Sequence, residues 1–458
     1  MKLTSEQRSA SLVAGLASFL TPFMGSSTNI ALPSIGREFR ADAITLGWVA
    51  TAYLLAAAIF LVPFGRLADI RGRKKIFLVG MTAYTTASLL CSLAGSIRVL
   101  IVFRVVQGMG GALIFGTSVA ILTSVFPRGE RGRALGINSA AIYLGLSLGP
   151  VLGGFLTHQL GWRSVFLANI PLGLLVIAIV LARLKGEWAE ARGEKFDFPG
   201  SLTYGLALIG IMLGFSRLPH SPGFWLFGAG VAVAAGFVAR ERKTAFPVLD
   251  IRLFLQNRVF AFSNLAALIN YSATFAVGFF VSLYLQYVKG MGPQSAGLIM
   301  IAQPAVMTLF SPLAGRASDR IEPRIVASLG MAISSAGLFL LAFLRSATPL
   351  SFVVSSLALL GFGFAFFSSP NTNAVMGSVE KKSYGVASAT LATMRLVGQM
   401  TSMGVAMMIL AFFVGRVEIT PASHNAYLQA LRVGFWLFAA FCFAGVFASL
   451  ARGNRGES

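Results

Sequence analysis

Residues 65–76 read Gly-Arg-Leu-Ala-Asp-Ile-Arg-Gly-Arg-Lys-Lys-Ile, a short basic stretch between two long apolar runs. A second copy of its opening, Gly315-Arg316-Ala317-Ser318-Asp319, follows another apolar run 250 residues later. Both copies are expected in loops on the same side of a membrane, so the repeat relates two halves of parallel orientation. The stretch therefore predicts a duplicated protein that is embedded in a membrane.

The composition agrees with a membrane protein. Of 458 residues, 56% are hydrophobic and only 12% are charged, and the mean hydropathy is +0.77. Soluble chains are about 45–50% apolar and about 25% charged. This composition excludes a soluble, disordered or collagen-like chain.

Fourteen apolar runs are long enough to cross a bilayer as helices. They cover residues 9–33, 44–64, 75–95, 98–124, 133–158, 164–183, 200–217, 222–240, 259–287, 294–314, 325–344, 349–371, 384–414 and 430–451. Because the repeated stretches lie eight spans apart, the pattern predicts an all-α membrane protein with two pseudo-symmetric six-helix halves and an inserted pair, a 6+2+6 arrangement. The predicted units are residues 1–183, 184–258 and 259–458.

The basic residues predict the orientation. The net charge is +21, and one side of the predicted topology holds roughly three times as many Lys and Arg as the other, which marks the cytoplasmic side. We expect a multi-pass protein of the plasma membrane, a bacterial inner membrane, with both termini in the cytoplasm. Basic residues dispersed over short loops do not indicate nucleic-acid binding.

Several motifs resemble one transporter family. Residues 65–76 fit a loop signature G-x-L-x-D-x-x-G-R-[RK], and Arg104–Ala112 resembles an R-x-x-Q-G motif. Gly136, Gly145, Gly149, Pro150, Gly153 and Gly154 have the spacing of an antiporter motif. Gly161–Gly173 and Tyr284-Leu285-Gln286 add to the likeness. The chain resembles the major facilitator superfamily, in the fourteen-helix branch of drug:proton antiporters, and the resemblance implies that fold.

The resemblance implies a cytoplasmic gate built from the repeated stretch. A carboxylate there can hold an arginine or a helix N-terminus in one state and release it in another. The alternative for the lysines is a solvated loop. The expected gating residues are Gly65, Asp69, Gly72, Arg73, Gly315, Asp319 and Arg320.

Two arginines fall inside predicted spans. Arg104 lies ~9 Å from the end of span 4 at 1.5 Å per residue, so it either reaches the interface or takes a role in coupling. Arg395 lies ~16 Å into span 13, near the middle of a ~30 Å hydrocarbon layer, and should face a cavity or a buried partner.

All 16 acidic residues fall outside the predicted spans. The family's span-1 motif usually carries an aspartate where this chain has Met24 and a threonine where it has Ser26. In the R-x-x-Q-G motif, the proline that usually follows is replaced by Gly116. A buried carboxylate attracts cationic drugs and carries the proton in such pumps. Its absence favours a neutral, zwitterionic or anionic substrate, and leaves acids at helix ends, such as Asp42 or Asp69, to couple protons.

A substrate cavity is expected near the midplane, between the halves. The alternative for each polar or aromatic candidate is helix–helix hydrogen bonding or an interfacial position. The candidates are Asn29, Trp48, Tyr53, Gln107, Tyr143, Asn270, Tyr271, Tyr284, Gln286, Asn371, Asn373 and Gln399.

The sequence therefore predicts a secondary active exporter of small amphipathic compounds, a multidrug efflux protein coupled to protons; the alternative is a lipid or organic-anion transporter with unusual proton coupling. No P-loop or catalytic constellation is present, so ATPase and enzyme activity are excluded. No metal or cofactor is expected, since Cys91 and Cys442 lie in apolar runs and His158, His220 and His424 are dispersed. The expected partners are the substrate, protons and membrane lipid, and no nucleic-acid partner is expected. The protein is expected to be a monomer.

Overall fold

The computed structural model describes residues 4–127, 131–184, 186–244, 247–380 and 384–453, and every regular element among them is a helix. Fourteen helical spans in this part of the chain are long and apolar enough to cross a membrane, which confirms the predicted number. An even number of crossings brings both chain ends to one side. We call that side the terminus face and the opposite side the far face.

Spans 1 to 6 form the first half. Their helices are Ser5–Phe39, Ala43–Arg71, Arg73–Ser92, Ile97–Val125, Arg131–Leu160, and the interrupted pair Arg163–Leu167 and Asn169–Arg183. Spans 7 and 8 are Phe198–Arg217 and Ser221–Glu241, and a short helix, Ile251–Gln256, follows them.

Spans 9 to 14 form the second half. Span 9 consists of Arg258–Thr274, Ala276–Leu283 and a π-helical turn, Tyr284–Val288; span 10 consists of Pro293–Met300 and Ala302–Arg320. Spans 11, 12 and 13 are Pro323–Leu341, Leu350–Gly377 and Tyr384–Phe413, and a 3₁₀ turn, Pro421–Ser423, leads into span 14, His424–Leu450.

Helix starts follow from local capping. Asp42 precedes span 2, and its Oδ1 accepts hydrogen bonds from the backbone N–H groups of Ile44 and Thr45, both at 3.0 Å. Ser96 caps span 4 in the same way, by accepting from the Val99 N–H. These bonds satisfy amides that have no partner within the helix.

Each half packs mainly within itself. Span 1 lies against spans 4 and 5, span 4 against spans 2 and 3, and in the second half span 11 lies against spans 12 and 14. Spans 7 and 8 pair closely because Gly214 and Gly230 leave room for backbone: a Cβ on Gly230 would lie 2.5 Å from the Ile211 nitrogen. This pair contacts spans 2 and 13, and Tyr204 donates a hydrogen bond to the Ala58 carbonyl at 3.1 Å.

The prediction that the repeated stretch forms loops is wrong. Span 2 stays helical through Arg71 and turns only at Gly72, whose φ of 116° suits glycine. Span 10 likewise continues to Arg320. The basic and small residues after the apolar run are good helix formers, so the helices extend past the apolar segment.

Other helices also extend beyond the boundaries predicted from the sequence. Span 1 covers Ser5–Phe39 instead of 9–33, and span 14 begins at His424 instead of 430. Several acids assigned to loops therefore lie on helices, each within one turn of a helix end: Glu6, Glu38, Asp69, Glu241 and Asp319. Glu130 and Glu457 lie outside the described residues.

Candidate functional site

One face of span 13 lies against the first half near mid-depth. Ala392 is buried in a cluster with Leu61 of span 2 and Ala112 of span 4. Arg395 follows nearly one helical turn later and is half-buried. The arginine therefore lies beside the boundary between the halves, at the depth that the sequence predicts.

The Arg395 guanidinium contacts two neighbouring helices and leaves one of its donors unpaired in the described part of the chain. Its Nη2 donates to the Thr372 Oγ1 of span 12 at 2.7 Å. Its central carbon lies 5.7 Å from the ring centroid of Tyr271 in span 9, a cation–π distance. Its Nε is buried and has no hydrogen-bond partner among the described groups. One edge of the guanidinium is thus available to a ligand.

A pair of aromatic rings lies beside this arginine. Tyr271 meets Phe364 edge to face with centroids 5.3 Å apart. Tyr143 of span 5, in the first half, lies near Tyr271. The region around Arg395 combines one cation with apolar, stacking side chains.

The halves are joined at the far face through span 1 and span 9. Pro33 has no N–H, so the Asn29 carbonyl four residues earlier lacks its intrahelical donor. Ser282 of the second half supplies the missing bond, from its hydroxyl to that carbonyl, at 2.6 Å. Gln286 donates to the Ile30 carbonyl at 2.9 Å. These bonds close the space between the halves on the far side.

The glycine motif of span 5 faces two neighbours. A Cβ on Gly145 would lie 2.5 Å from the Phe19 carbonyl oxygen, and one on Gly153 would lie 2.7 Å from Ser27, both in span 1. A Cβ on Gly154 would instead lie 2.6 Å from the Pro293 carbonyl oxygen in span 10 of the second half. The motif therefore permits close packing both within the first half and across the boundary. Span 5 remains helical through Pro150.

Arg104 lies wholly inside the first half. It is 1% exposed, its Nε donates to the Val49 carbonyl at 2.9 Å, and its Nη1 donates to the Gln107 Oε1. Its guanidinium lies 4.5 Å from the Tyr53 ring centroid. The side chain therefore points into the bundle and links spans 2 and 4.

The gate residues of the first half are bound by the segment after span 6. Arg73 donates to Asp69 at 2.8 Å and to both carboxylate oxygens of Glu190 at 2.8 and 3.0 Å. Glu187 accepts from the Lys74 N–H at 2.8 Å, at the start of span 3. Arg66 pairs with Glu194. The segment 186–197 thus lies across the terminus face of the first half, and we call it the acidic linker.

The end of the acidic linker anchors spans 7 and 8. Asp197 caps span 7 by accepting from the Gly200 N–H, and it receives two 2.7 Å hydrogen bonds from Arg240. Burial acts to raise the pKa of Asp197, but the hydrogen bonds from Arg240 and Gly200 outweigh it, so the pKa lies below its usual value.

The second copy of the gate differs from the first. Asp319 and Arg320 are exposed, and neither side chain forms a hydrogen bond or ion pair with another described residue. Gly315 faces Ser369, whose Oγ would lie 3.2 Å from an added Cβ. The repeat in sequence therefore does not produce the same contacts at both sites.

The structure divides the predicted cavity residues into groups. Tyr143 and Tyr271 lie by Arg395, and Gln399 follows Arg395 by one turn on the same helix. Asn29 and Gln286 join the halves at the far face. The others are placed elsewhere: Tyr53 and Gln107 with Arg104, Trp48 by spans 7 and 8, Tyr284 against the Arg345 carbonyl, and Asn270, Asn371 and Asn373 within the second half.

Sequence reasoning missed Thr372, Phe364 and Ser282. Thr372 lies between two predicted candidates, Asn371 and Asn373, and its position in that polar run was the available signal. Ser282 had no comparable signal, because its partner is a backbone carbonyl of another helix. Within the described residues, no group of three or more His, Cys, Asp or Glu is placed to hold a metal ion.

Comparisons with known proteins match the whole chain. The Major Facilitator Superfamily profile covers residues 14–267 and 263–457. The chain is 32% identical over 430 residues to a multidrug resistance protein B homolog of Mycobacterium tuberculosis, covering 91% of this chain and 78% of that one. It is 29% identical over 431 residues to the riboflavin transporter RibZ of Clostridioides difficile, covering 93% of each.

Solved structures share the fold. An inward-facing, unoccupied bacterial homolog of the human lysosomal transporter Spinster superposes with a TM-score of 0.70 at 18% identity, covering 98% of each chain. A D-xylose-proton symporter gives 0.67 at 15% identity, covering 96% of this chain and 97% of the other. The fold, the motifs and the family match agree, and the chain belongs to the Major Facilitator Superfamily: it is a multi-pass membrane transporter and not an enzyme.

Proposed function

We propose that the protein is a secondary active exporter of small amphipathic compounds. The observation that carries this proposal is Arg395 with Tyr271 beside it and Phe364 packed on Tyr271, next to the boundary between the halves and beneath the closed far face. Several relatives at about 30% identity are multidrug resistance proteins, which supports the same substrate range. We place it in the plasma membrane, a bacterial inner membrane, with the terminus face toward the cytoplasm, following the positive-inside pattern.

Export requires the far face to open. In alternating access, two halves rock about a site near the midplane, so one face opens while the other closes. Here the Ser282–Asn29 and Gln286–Ile30 bonds and the contact between Gly154 and Pro293 would separate. The antiporter motif lies at that moving boundary, which fits the role that its resemblance implies.

Proton coupling is part of the proposal, and it must use acids near helix ends. Asp42 accepts three hydrogen bonds, from two backbone amides and the Thr45 hydroxyl. Asp69 pairs with Arg73. Of these two, Asp69 is the better candidate, since its partner is a side chain that can exchange between acids as the gate moves.

Purified protein in liposomes tests the proposal under an imposed pH gradient. We would compare a lipophilic cation with a neutral amphiphile, with protein-free liposomes as the control. Gradient-driven movement that a protonophore abolishes is the expected result. Movement of neither compound, or movement that the protonophore leaves unchanged, contradicts the proposal. Asp69→Asn should slow proton-coupled movement of every substrate alike; an unchanged rate would exclude Asp69 as the coupling acid.

A second candidate is a lipid or organic-anion transporter. The observation in its favour is the guanidinium edge of Arg395 that no acidic side chain meets. The relative named a riboflavin transporter also shows that the family match alone does not decide the substrate. Faster movement of an anionic amphiphile or a labelled phospholipid than of the lipophilic cation would favour this candidate.

A further inference from the structure

Arg395 carries a charge that no described acid balances. A guanidinium keeps its proton in proteins, and a charge that is partly withdrawn from water without an ionic partner costs free energy. Each described acid on a spanning helix lies within one turn of a helix end, whereas Arg395 is eleven residues, ~16 Å, from the start of span 13. The protein around Arg395 therefore supplies no carboxylate to neutralise it.

Three arginines that are more deeply buried than Arg395 have acceptors for their donors. Arg104 directs its Nε to a carbonyl and its Nη1 to a glutamine. Arg73 holds two carboxylates. Arg452, at the end of span 14, donates to the Ser449 carbonyl and to two serine hydroxyls. Arg66 also has a buried Nε without an acceptor among the described groups, but its Nη2 pairs with Glu194. Arg395 differs from all of these, because its buried Nε has no acceptor and no described acid pairs with its guanidinium.

The free edge of Arg395 has the geometry for an oxyanion. Nε–H and one Nη2–H of a guanidinium point in parallel and bind both oxygens of a carboxylate. Nη2 donates to the Thr372 hydroxyl at 2.7 Å, which fixes the group, while Nε–H has no acceptor among the described groups. Tyr271 covers the guanidinium at 5.7 Å, and Phe364 packs on that ring.

We propose that Arg395 is the recognition group for a single negative charge on the transported compound. The ligand is a carboxylate, or a comparable oxyanion, attached to a flat apolar body that packs on the aromatic rings near Tyr271 and Phe364. The inference rests on the proposed export function and names its substrate class. Thr372 is a positioning residue, since it holds the guanidinium without contacting the ligand.

Binding to the purified protein tests this directly. The test uses three probes that share a pyrene ring system and differ in charge. Equilibrium dialysis compares pyrenebutanoate, its methyl ester and a pyrenyl trimethylammonium analogue. Wild-type protein should bind the acid about ten-fold more tightly than the ester, about 1.4 kcal/mol. Arg395→Gln should reduce this ratio to near one while ester binding stays unchanged.

Further variants separate recognition from folding. Arg395→Lys keeps the charge but loses the forked edge, so it should retain part of the preference for the acid. Thr372→Val should lower the acid-to-ester ratio less than Arg395→Gln does. Arg345→Gln changes an exposed arginine in the loop before span 12 and should leave the ratio unchanged. Equal binding of ester and acid by the wild type, or a ratio that Arg395→Gln leaves intact, overturns the inference.

Transport in liposomes distinguishes this inference from the exporter proposal. Movement of the ester but not of the acid rejects the anion site while export stands. Preferential binding of the acid without movement of any probe supports the anion site and rejects export. Movement of the acid, lost in Arg395→Gln while the ester still moves, supports both.

Discussion

At the residue scale, a single proline determines how the halves meet at the far face. Pro33 leaves the Asn29 carbonyl without an intrahelical donor, and the Ser282 hydroxyl of the second half provides one at 2.6 Å. An unpaired buried carbonyl costs about 1–3 kcal/mol. The bond therefore favours the state in which the far face is closed.

We predict that Ser282→Ala increases opening at the far face. Losing the donor removes about 1 kcal/mol from the closed state, roughly a five-fold change in population. The readout is the rate at which a membrane-impermeant maleimide labels Thr51→Cys, because Thr51 is buried against Met407 of the second half. Labelling should be about five-fold faster.

The control for this change is Ser356→Ala. Ser356 is also buried, but its hydroxyl donates to the Phe352 carbonyl of its own helix. Labelling should keep the wild-type rate in this variant. Equal rates in Ser282→Ala and the wild type would show that the bond does not hold the far face closed.

Neighbouring residues show why the sequence predicts some site positions and not others. The depth of Arg395 follows from counting residues along span 13, and the structure agrees. Asn270 and Tyr271 are adjacent and equally plausible from sequence, yet Asn270 points at Cys442 within the second half while Tyr271 reaches Arg395. The direction of each side chain depends on how helices pack, and a single sequence does not contain that information.

At the element scale, span 5 has two different glycine faces. The spacing of the motif predicts close helix packing, and the structure shows it. Spacing alone does not identify the partner helices. Gly145 and Gly153 face span 1, whereas Gly154 faces span 10 of the other half.

We predict that Gly154→Ala destabilises the closed far face. The added methyl group would lie 2.6 Å from the Pro293 carbonyl oxygen, and overpacking of this kind costs about 1–3 kcal/mol. Faster maleimide labelling of Thr51→Cys should report the opening. Gly136→Ala is the matched control in the same motif, since nothing lies within 4 Å of its added Cβ. Similar labelling in the two alanine variants would contradict this account.

The contacts of the acidic linker do not follow from the sequence. Its glutamates at 187, 190 and 194 lie near the basic end of span 2 and the start of span 3 only because the chain folds back after span 6. The Ala191 N–H also donates to the Asp69 carbonyl at 2.9 Å. Fold-back of this kind joins residues more than 100 positions apart, which local sequence patterns do not reveal.

We predict that Glu190→Gln loosens the acidic linker. Glu190 is largely exposed while Arg73 is buried, so the lost charge interaction is worth about 1 kcal/mol. Hydrogen exchange of the Ala191 amide should accelerate roughly five-fold. Glu418→Gln, in the loop after span 13, should leave that amide unchanged. Unaltered exchange in Glu190→Gln would mean that backbone contacts alone hold the segment.

At the scale of the whole molecule, the repeat predicts two halves but not their differences. Asp69 is held by Arg73, and Arg73 by Glu190. Asp319 has no such partner among the described residues. The acidic linker follows span 6 and pairs with the first copy of the motif. Unequal surroundings therefore give two copies of one motif different contacts.

Cross-linking tests whether the two halves must separate for transport. Thr51 Oγ1 and Met407 Sδ lie 4.0 Å apart across spans 2 and 13, so a Thr51→Cys/Met407→Cys pair should react readily with a short, reducible bifunctional thiol reagent. The native cysteines are buried and would be replaced by alanine. Cross-linking should stop transport, and reduction should restore it.

The matched pair for this test is Ser328→Cys/Ser449→Cys. These side chains lie 2.8 Å apart in spans 11 and 14, both in the second half, so a link between them leaves the halves free to move. It should form equally well and leave transport intact. Continued transport with the first pair linked would mean that spans 2 and 13 stay together during the cycle. The opening would then have to occur on the other side of the bundle, between spans 5 and 10, where Gly154 meets Pro293.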